Sequence, residues 1–189
     1  MDETTNTSGF ITKDSGKRET FESGMKRDTQ DGKLRYDLAF DGPLFWALFP
    51  DVPLVQAAKR WYENGGIENA AEVVRQLGIL EGGLFKLVDR YSALMMRGAI
   101  KYDETNWMKA EGSAELKRFR ISFCRHLKQY LNQEIDEDHG AALFFNLNGA
   151  EYVQAKLNRR LHLWCSGHDK TAAEQIARDY AAANRGLPL

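Results

Sequence analysis

Apolar residues that recur at intervals of three and four place the tightest constraint on how this chain can fold. That spacing puts side chains on one face of an α-helix, whereas a half-buried strand alternates at every second residue. The two clearest series are Leu84, Leu87, Val88, Tyr91, Leu94 and Met95, and then Leu116, Phe119, Phe123, Leu127, Tyr130 and Leu131. No segment of the sequence shows a convincing strand pattern. The sequence therefore predicts an all-α fold, a compact helical bundle.

Glycine and proline residues divide this pattern into helices and connections. The main predicted helices cover approximately residues 54–64, 67–78, 84–98, 114–133 and 137–164. Residues 1–22 are polar and predict a flexible tail, and residues 23–38 predict an ordered loop rather than a regular element. The predicted helical domain spans residues 23–164, and residues 165–189 predict a turn and a closing helix.

The composition indicates a globular protein with a buried core, because 43% of the residues are hydrophobic and 28% are charged. The formal net charge of −1 provides no overall basic field, so nucleic-acid binding is disfavoured. The two cysteines, Cys124 and Cys165, have no CxxC spacing, which makes a reducing cytoplasm the expected location. We expect no membrane attachment, since no apolar run approaches roughly 20 residues and the first residues do not resemble a signal peptide.

A group of acidic residues beside a histidine, in NQEIDEDHG, is the first candidate for chemistry. Glu134 ends one predicted helix and Asp138 starts the next, so a short connection brings them together at one end of a helical hairpin. Crowded carboxylates suit Mg²⁺ or Mn²⁺, and His139 adds a nitrogen ligand or a base. The alternative is an ordinary helix start, with Asp136 as the N-cap and Glu137 and Asp138 in the first turn.

Polar residues also interrupt the apolar faces of two predicted helices. His139 and Asn146 share one such face, which predicts either a polar pocket inside the bundle or a hydrogen-bonded His–Asn pair in the core. Arg118 and Arg125 share another face, where two guanidinium groups suit a phosphate. Solvated or salt-bridged helix faces have the same pattern, and His126 beside them is more often structural than catalytic.

Two loops carry basic and aromatic residues that suit a nucleotide. In GAIKYDETNW, Lys101 is placed to meet a phosphate and Trp107 to stack on a base, although a loop packed down by its tryptophan explains the same residues. The segment MKRDTQDGKLRYD carries Lys33 and Arg35 with the same two interpretations. It lacks the GxxxxGK[ST] order of a P-loop, and the sequence contains no HExxH or GxSxG motif.

Four segments occur together in an order that resembles one protein family. They are SGMKRDTQDGKLRYDL, RGAIKYDETNW, SFCRHLKQYL and DEDHGAALFFNLNGAEYV. Over about residues 23–153 the chain is similar to the small phage and bacterial proteins of the dATP/dGTP diphosphohydrolase N-terminal domain family, which resemble the all-α, MazG-like nucleotide pyrophosphohydrolases. The resemblance implies hydrolysis of a deoxypurine triphosphate to the monophosphate and pyrophosphate, with Mg²⁺ or Mn²⁺. It also implies a phage-encoded homo-oligomer that adjusts the nucleotide pool in the host cytoplasm.

With this resemblance, each candidate residue receives a role. The metal ligands would be Glu134 and Asp138, and the catalytic groups would be Glu137 and His139. The substrate-binding residues would be Lys33, Arg35, Lys101, Tyr102, Asn106, Trp107, Arg118, Arg125, His126 and Asn146.

The chain departs from the MazG-like pattern in two places. MazG-like proteins pair an ExxE helix with an ExxD helix, whereas the helix from Leu84 offers only Asp89, with Glu81 upstream. Residues 53–83 also look like an insertion relative to shorter relatives. The small number of acidic residues on the helix from Leu84 favours an alternative function. In that case the protein is a non-catalytic helical module that binds a nucleotide or a protein partner.

Overall fold

A computed structural model of the protein describes residues 16–165, with side chains as far as residue 160. Residues 1–15 of the predicted tail and the predicted closing helix lie outside this range. Within it the chain is mostly helical, which confirms the predicted all-α character. The strands are β1 (Arg18–Thr20) and β2 (Lys26–Asp28), and the helices are α1 (Asp37–Phe40), α2 (Pro43–Ala47), α3 (Pro53–Asn64), α4 (Ile67–Leu80), α5 (Leu84–Lys101), α6 (Ser113–Leu131) and α7 (His139–Cys165), with a 3₁₀ turn at Asn106–Lys109. No helix between residues 16 and 165 combines the length and apolar character needed to cross a membrane.

The antiparallel pair α6 and α7 forms the centre of the fold. His126 meets His139 at one end of the pair, while Phe119 packs on Phe145 further along, so the two helices run in opposite directions. The predicted apolar face of α6 is buried from Leu116 to Leu127 and half-buried at Tyr130 and Leu131, and the face of α7 that carries His139 and Asn146 is buried as well. Burying each large apolar side chain contributes about 1.5–3 kcal/mol, so this shared seam supplies a large part of the core.

A short antiparallel hairpin, which the sequence did not predict, lies against α6. In it Arg18 stands opposite Asp28 and Thr20 opposite Lys26. Met25, the last residue of the turn before β2, is buried in the main core. Residues 18–20 belong to the range expected to be a flexible tail, and residues 26–28 to the range expected to be a loop. The prediction that the chain contains no strands was therefore wrong at both places. Three residues are too few to display the period of two from which a strand is recognised.

The helices α3 and α4 occupy the segment interpreted as an insertion, yet they complete the same core. Trp61 of α3 is buried, and its ring centroid lies 4.6 Å from that of Phe123. Its Nε1 also donates to Glu151 of α7 at 2.7 Å. On α4, Val73 and Leu77 are fully buried. Removing this segment would therefore open the core rather than trim the surface.

In α5, the predicted apolar face and the buried face do not agree. Only Leu87 of this 18-residue helix is buried, although Tyr91 stacks on Phe144 of α7 with a centroid distance of 4.2 Å. Several of its apolar side chains are exposed instead, namely Phe85, Met96 and Ile100. The helix also continues to Lys101, past Gly98 where the sequence predicted its end. A helix that buries so little of its surface leaves space on its inner side.

Candidate functional site

A cavity of about 590 Å³ lies between α5, α6, the start of α7 and the β-hairpin. Its volume falls in the range of small-molecule sites, roughly 300–1,000 Å³. Part of the lining is apolar, from Met25, Leu94, Met95 and Phe145, and much of the rest is charged. Basic and acidic side chains occur in similar number. This combination suits a ligand that has both an aromatic part and an anionic part.

The guanidinium cluster (Arg27, Arg118 and Arg125) reaches this cavity from β2 and α6. Arg118 donates to the backbone carbonyl of Asp28 at 2.7 Å, and the nearest carboxylate, that of Glu19, is 3.4 Å from its Nε. Burial, and then the neighbouring charge of Arg125, lower the pKa of Arg118 to about 10. Burial and the two neighbouring guanidinium groups also lower the pKa of Arg27 well below its ordinary value. An anion placed among these like charges would relieve their repulsion.

Arg27 was not among the predicted site residues, although it lies in the basic segment that the sequence singled out. Its guanidinium packs on the rings of Phe119 and Phe145, at 4.6 and 5.3 Å from their centroids. Its Nη2 donates to Oδ1 of Asn146 at 2.9 Å. The inward direction of Arg27 follows from the register of β2, which is too short to leave a signal in the sequence.

Four buried side-chain polar atoms in the described part of the chain lack a hydrogen-bond partner, and all belong to residues that line this cavity. They are Nη1 of Arg27, Nε and Nη1 of Arg97, and Oε1 of Gln129. A buried polar group without a partner costs about 1–3 kcal/mol, and a charged one costs more. Their concentration in one place indicates that ligand or solvent atoms belong in the cavity. Arg97 and Gln129 were not among the predicted site residues, because nothing in the sequence distinguishes them from ordinary polar positions on a helix.

A chain of hydrogen bonds connects α6 with the start of α7. Nη2 of Arg125 lies 3.1 Å from Nε2 of His126, whose Nδ1 lies 3.1 Å from Nδ1 of His139. Nε2 of His139 lies 2.9 Å from a carboxylate oxygen of Asp136. A guanidinium only donates, so Nε2 of His126 accepts and its proton sits on Nδ1; His139 then accepts at Nδ1 and donates to Asp136. Both imidazoles are neutral in this arrangement, in agreement with the pKa of His126, which burial and then Arg125 hold well below its ordinary value.

Glu137 extends toward the same two imidazoles. Its carboxylate lies 3.9 Å from Nδ1 of His126, and one ligand atom from each of His126, Glu137 and His139 lies within 4.8 Å of the others. We refer to these three residues as the His–Glu–His group. Burial raises the pKa of Glu137, although the positive charge of Arg125 acts in the opposite direction. A carboxyl group with a raised pKa at the edge of a cavity suits proton exchange with a bound water.

The two predicted metal ligands are engaged in ion pairs instead. Both oxygens of Asp138 accept from the guanidinium of Arg90, at 2.6 and 2.8 Å. Glu134 pairs with Lys128 near the end of α6. The pairing with Lys128 also explains how an acid is tolerated at a helix C-terminus, where the dipole disfavours it. The structure therefore does not bring Glu134 and Asp138 together in one shell of ligands.

The first turn of α7 begins later than predicted. Asp138, not Asp136, is the N-cap, since its Oδ1 accepts from the backbone N–H of Ala141 at 3.0 Å. Asp136 accepts from His139 and, with Glu134 and His139, forms a second group whose ligand atoms lie within 4.8 Å of one another. This second group is more exposed than the His–Glu–His group, which keeps two of its three members buried.

Residues of the predicted nucleotide loop mainly hold the hairpin in place. Lys101 and Tyr102 both bond the carboxylate of Asp28, at 2.9 and 2.8 Å. Asn106 is buried and exchanges two hydrogen bonds of 2.9 Å with the backbone of Lys26. The side-chain amide of Asn106 is thus occupied by the backbone of β2, which argues against its predicted role as a substrate-binding residue.

The remaining predicted substrate residues divide between the cavity and the surface. Lys33 lines the cavity, and burial and the charge of Arg125 lower its pKa. Trp107 also lines it, packed on Tyr152 with a centroid distance of 5.0 Å. Arg35 lies outside the lining and forms two hydrogen bonds with Asp37, at 2.8 and 2.5 Å. The predicted site residues that line the cavity are Lys33, Lys101, Tyr102, Asn106, Trp107, Arg118, Arg125, His126, Glu137, Asp138 and Asn146.

Asn146 and His139 do not form the core pair that was the alternative to a polar pocket. Asn146 accepts from Arg27 and donates to the Ala142 carbonyl at 2.7 Å, while His139 bonds His126 and Asp136. Each polar residue on the inner face of α7 therefore positions a different group of the site. His139 lies just behind the cavity lining and touches it through His126.

The two imidazole nitrogens of the His–Glu–His group are spaced as two ligands of one divalent cation, and Glu137 adds an oxygen donor within 4.8 Å of both. Two nitrogens about 2.1 Å from one ion, at an angle near 95°, are about 3.1 Å apart. The Nδ1 atoms of His126 and His139 have that separation. Since two of the three donors are imidazole nitrogens, the group suits a first-row transition metal better than Mg²⁺, which prefers oxygen. Binding would displace the proton that the two histidines share.

No protein-family model, curated protein or solved structure matches this chain. Its function therefore has to be inferred from the chemistry of the cavity.

Proposed function

We propose that this protein hydrolyses a deoxypurine nucleoside triphosphate, dATP or dGTP, to the monophosphate and pyrophosphate with a divalent cation. The observation that carries the proposal is that the guanidinium cluster borders the same small-molecule cavity as His126 and Glu137 of the His–Glu–His group. Phosphoryl transfer depends on positioning and on neutralising charge more than on a protein nucleophile. Such an enzyme, phage-encoded and acting in the host cytoplasm, would adjust the pool of replication precursors.

The guanidinium cluster would hold the triphosphate. Guanidinium groups bind phosphate oxygens through two parallel hydrogen bonds, and Nη1 of Arg27 has no competing partner among residues 16–165. Arg125 contributes a half-buried charge next to the His–Glu–His group, so it would bind the phosphate closest to the reaction. Lys33 would add a further positive charge. The apolar part of the lining, with Met25, Leu94 and Trp107, would receive the sugar and base.

The His–Glu–His group would hold Mg²⁺ or Mn²⁺, and its two nitrogen donors favour Mn²⁺. When bound, such an ion neutralises phosphate charge and lowers the pKa of a bound water. Glu137 would hold the ion through one carboxylate oxygen, and its second oxygen would accept the proton of the attacking water. Asp136 would keep His139 in the tautomer that presents Nδ1 to the site.

Incubation of the purified protein with each dNTP and Mn²⁺, followed by detection of pyrophosphate, tests this proposal. We expect pyrophosphate from the purine nucleotides, and a decrease in turnover of about 10²- to 10⁴-fold in Glu137→Gln. Glu134→Gln is the matched control: it changes the same residue type three positions earlier, at a carboxylate paired with Lys128, and should retain activity. Equal turnover by the Glu137→Gln and wild-type proteins would refute the assignment.

A non-catalytic nucleotide-binding module is the second candidate. It is favoured by the hydrogen-bond chain that satisfies His126 and His139 without an ion, and by the engagement of Asp138 with Arg90. This candidate predicts that dNTPs raise the melting temperature while no pyrophosphate forms. The same incubation therefore separates the two functions.

We further propose that the protein is a homo-oligomer that associates through α5. The side chains of Phe85, Met96 and Ile100 are 83%, 67% and 87% exposed. At 100° per residue they lie within about 60° of one another around the helix, so they form one apolar stripe. Sedimentation equilibrium should give a mass above that of the monomer, and Met96→Glu should lower it. A monomeric wild-type protein would contradict this part of the proposal.

A further inference from the structure

We propose that Arg97 reads the base of the bound nucleotide and gives the site a preference for guanine over adenine. The inference rests on the proposed function and specifies which purine the cavity accepts. It starts from buried donors of the cavity that have no hydrogen-bond partner in the described part of the chain.

Arg97 approaches the cavity from α5, whereas the guanidinium cluster approaches it from β2 and α6. Its Nε and Nη1 are buried and have no hydrogen-bond partner among the described residues. Leu94, three residues earlier, lies on the same helix face, and Leu94 and Met95 both line the cavity. Arg97 therefore belongs to the apolar part of the lining, where an aromatic base would be buried. The phosphates have the guanidinium cluster and Lys33 available to them elsewhere in the cavity.

The donor pattern of a guanidinium group matches one purine better than the other. Guanine presents two adjacent acceptors, O6 and N7, and a guanidinium can donate to both. Adenine presents N7 beside the N6 amine, so one N–H of Arg97 would face another donor and stay unpaired. A buried donor that stays unpaired is what allows a hydrogen-bonding site to reject an analogue. A matched bidentate pair discriminates between bases by about 5- to 150-fold in affinity.

Gln129 does not discriminate between guanine and adenine. Its unpaired Oε1 can accept from the N2 amine of guanine or from the N6 amine of adenine. Discrimination therefore falls to Arg97, which only donates. It follows that hypoxanthine, which keeps O6 and N7 but lacks the N2 amine, should be treated as guanine.

The test is a calorimetric titration of the full-length protein with the α,β-imido analogues of dGTP, dATP and dITP in the presence of Mn²⁺. These analogues cannot be cleaved between the α and β phosphates, so only binding is measured. For the wild-type protein we expect the dGTP and dITP analogues to bind about 5- to 150-fold more tightly than the dATP analogue. Arg97→Gln should lose or reverse this preference, because a glutamine amide pairs bidentately with adenine. Arg125→Gln is the control, since a phosphate contact should weaken all three analogues by the same factor.

Two outcomes would overturn the inference alone. One is equal affinity of the wild-type protein for the three analogues, a measurement that needs no variant. The other is an Arg97→Gln protein, folded by thermal unfolding, that weakens all analogues equally; Arg97 would then be a phosphate ligand. Absence of any binding by the wild-type protein would overturn the proposed function together with this inference, so the two failures are distinguishable.

Discussion

Two glycines show how differently the helices around the cavity are held. A Cβ at Gly149 of α7 would overlap the ring of Phe119, whereas a Cβ at Gly98 of α5 would meet nothing within 4 Å. The side formed by α6 and α7 is close-packed, while α5 has one buried residue, and two buried nitrogens of its Arg97 have no hydrogen-bond partner among the described residues. We therefore expect the site to have a preformed half on α6 and α7 and a second half on α5 that a bound ligand would order. Binding would then carry an ordering cost that falls mainly on α5.

The largest expected effect concerns the ion pair that anchors α7. Asp138→Ala removes both the N-cap of α7 and the partner of Arg90, so we expect a loss of about 3–5 kcal/mol in the free energy of unfolding. Asp89→Ala, at an exposed acid on α5, should stay within about 0.5 kcal/mol of the wild type. Urea denaturation of both variants and the wild type measures these differences in the free energy of unfolding. A stable Asp138→Ala protein that has lost only its Mn²⁺-dependent activity would support the metal-ligand role predicted from the sequence.

Hydrogen exchange measures the contrast between the two halves directly. At protein concentrations where the chain is monomeric, amides of α5 should exchange about 100-fold faster than those of α6, since α5 can open locally whereas α6 is held by the main core. A bound nucleotide should slow exchange in α5 more than in α6, because its contacts with Arg97 connect α5 to the rest of the site. Equal protection of the two helices in the free protein would remove the distinction between a preformed and a ligand-dependent half.

The two glycines supply the next prediction. Gly149→Ala should destabilise the protein by about 1–3 kcal/mol, because the added methyl group must displace the ring of Phe119. Gly98→Ala should be neutral or stabilising by up to about 1 kcal/mol, since alanine favours the helix and the space is open. Thermal unfolding of the two variants, compared at equal protein concentration, shows whether each substitution stabilises or destabilises the protein. A destabilised Gly98→Ala protein would mean that α5 is packed more tightly in solution than this contrast allows.

Helical periodicity predicted the α6 and α7 side well and the α5 side poorly, for a physical reason. Phe119, Phe123 and Leu127 are buried where the period places them, because the apolar faces of α6 and α7 meet along this pair of helices. The same period on α5 predicts a buried face, but burial needs a second surface to cover it, and among the described residues only Leu87 is fully covered. Periodicity identifies an apolar face; it does not identify what covers that face.

The site was predicted in part for a related reason. Arg118, Arg125 and His126 were found because they share a helix with a strong period, and they do line the cavity. The pairing of Asp138 with Arg90 joins residues 48 positions apart, and no local pattern contains that information. Arg27 reaches the cavity through a strand of three residues that the sequence does not reveal. Local patterns therefore found many of the acids and bases of the site, but not Arg27 or Arg97 and not the long-range partners.

The smallest expected effect is a pH dependence of the free energy of unfolding, caused by Glu137 on the close-packed side formed by α6 and α7. Burial raises the pKa of Glu137 above its ordinary value of 4.5, so the folded protein holds this proton more tightly than the unfolded chain does. The free energy of unfolding should then fall as the pH rises from about 4.5 through the raised pKa of the folded state. Glu137→Gln, which cannot ionise, should lack this fall; without divalent cations it should be more stable than the wild type at pH 7 and equal to it at pH 4. Urea denaturation in EDTA at both pH values measures the difference. A difference that does not change with pH would show that packing of the amide, not ionisation of Glu137, determines it.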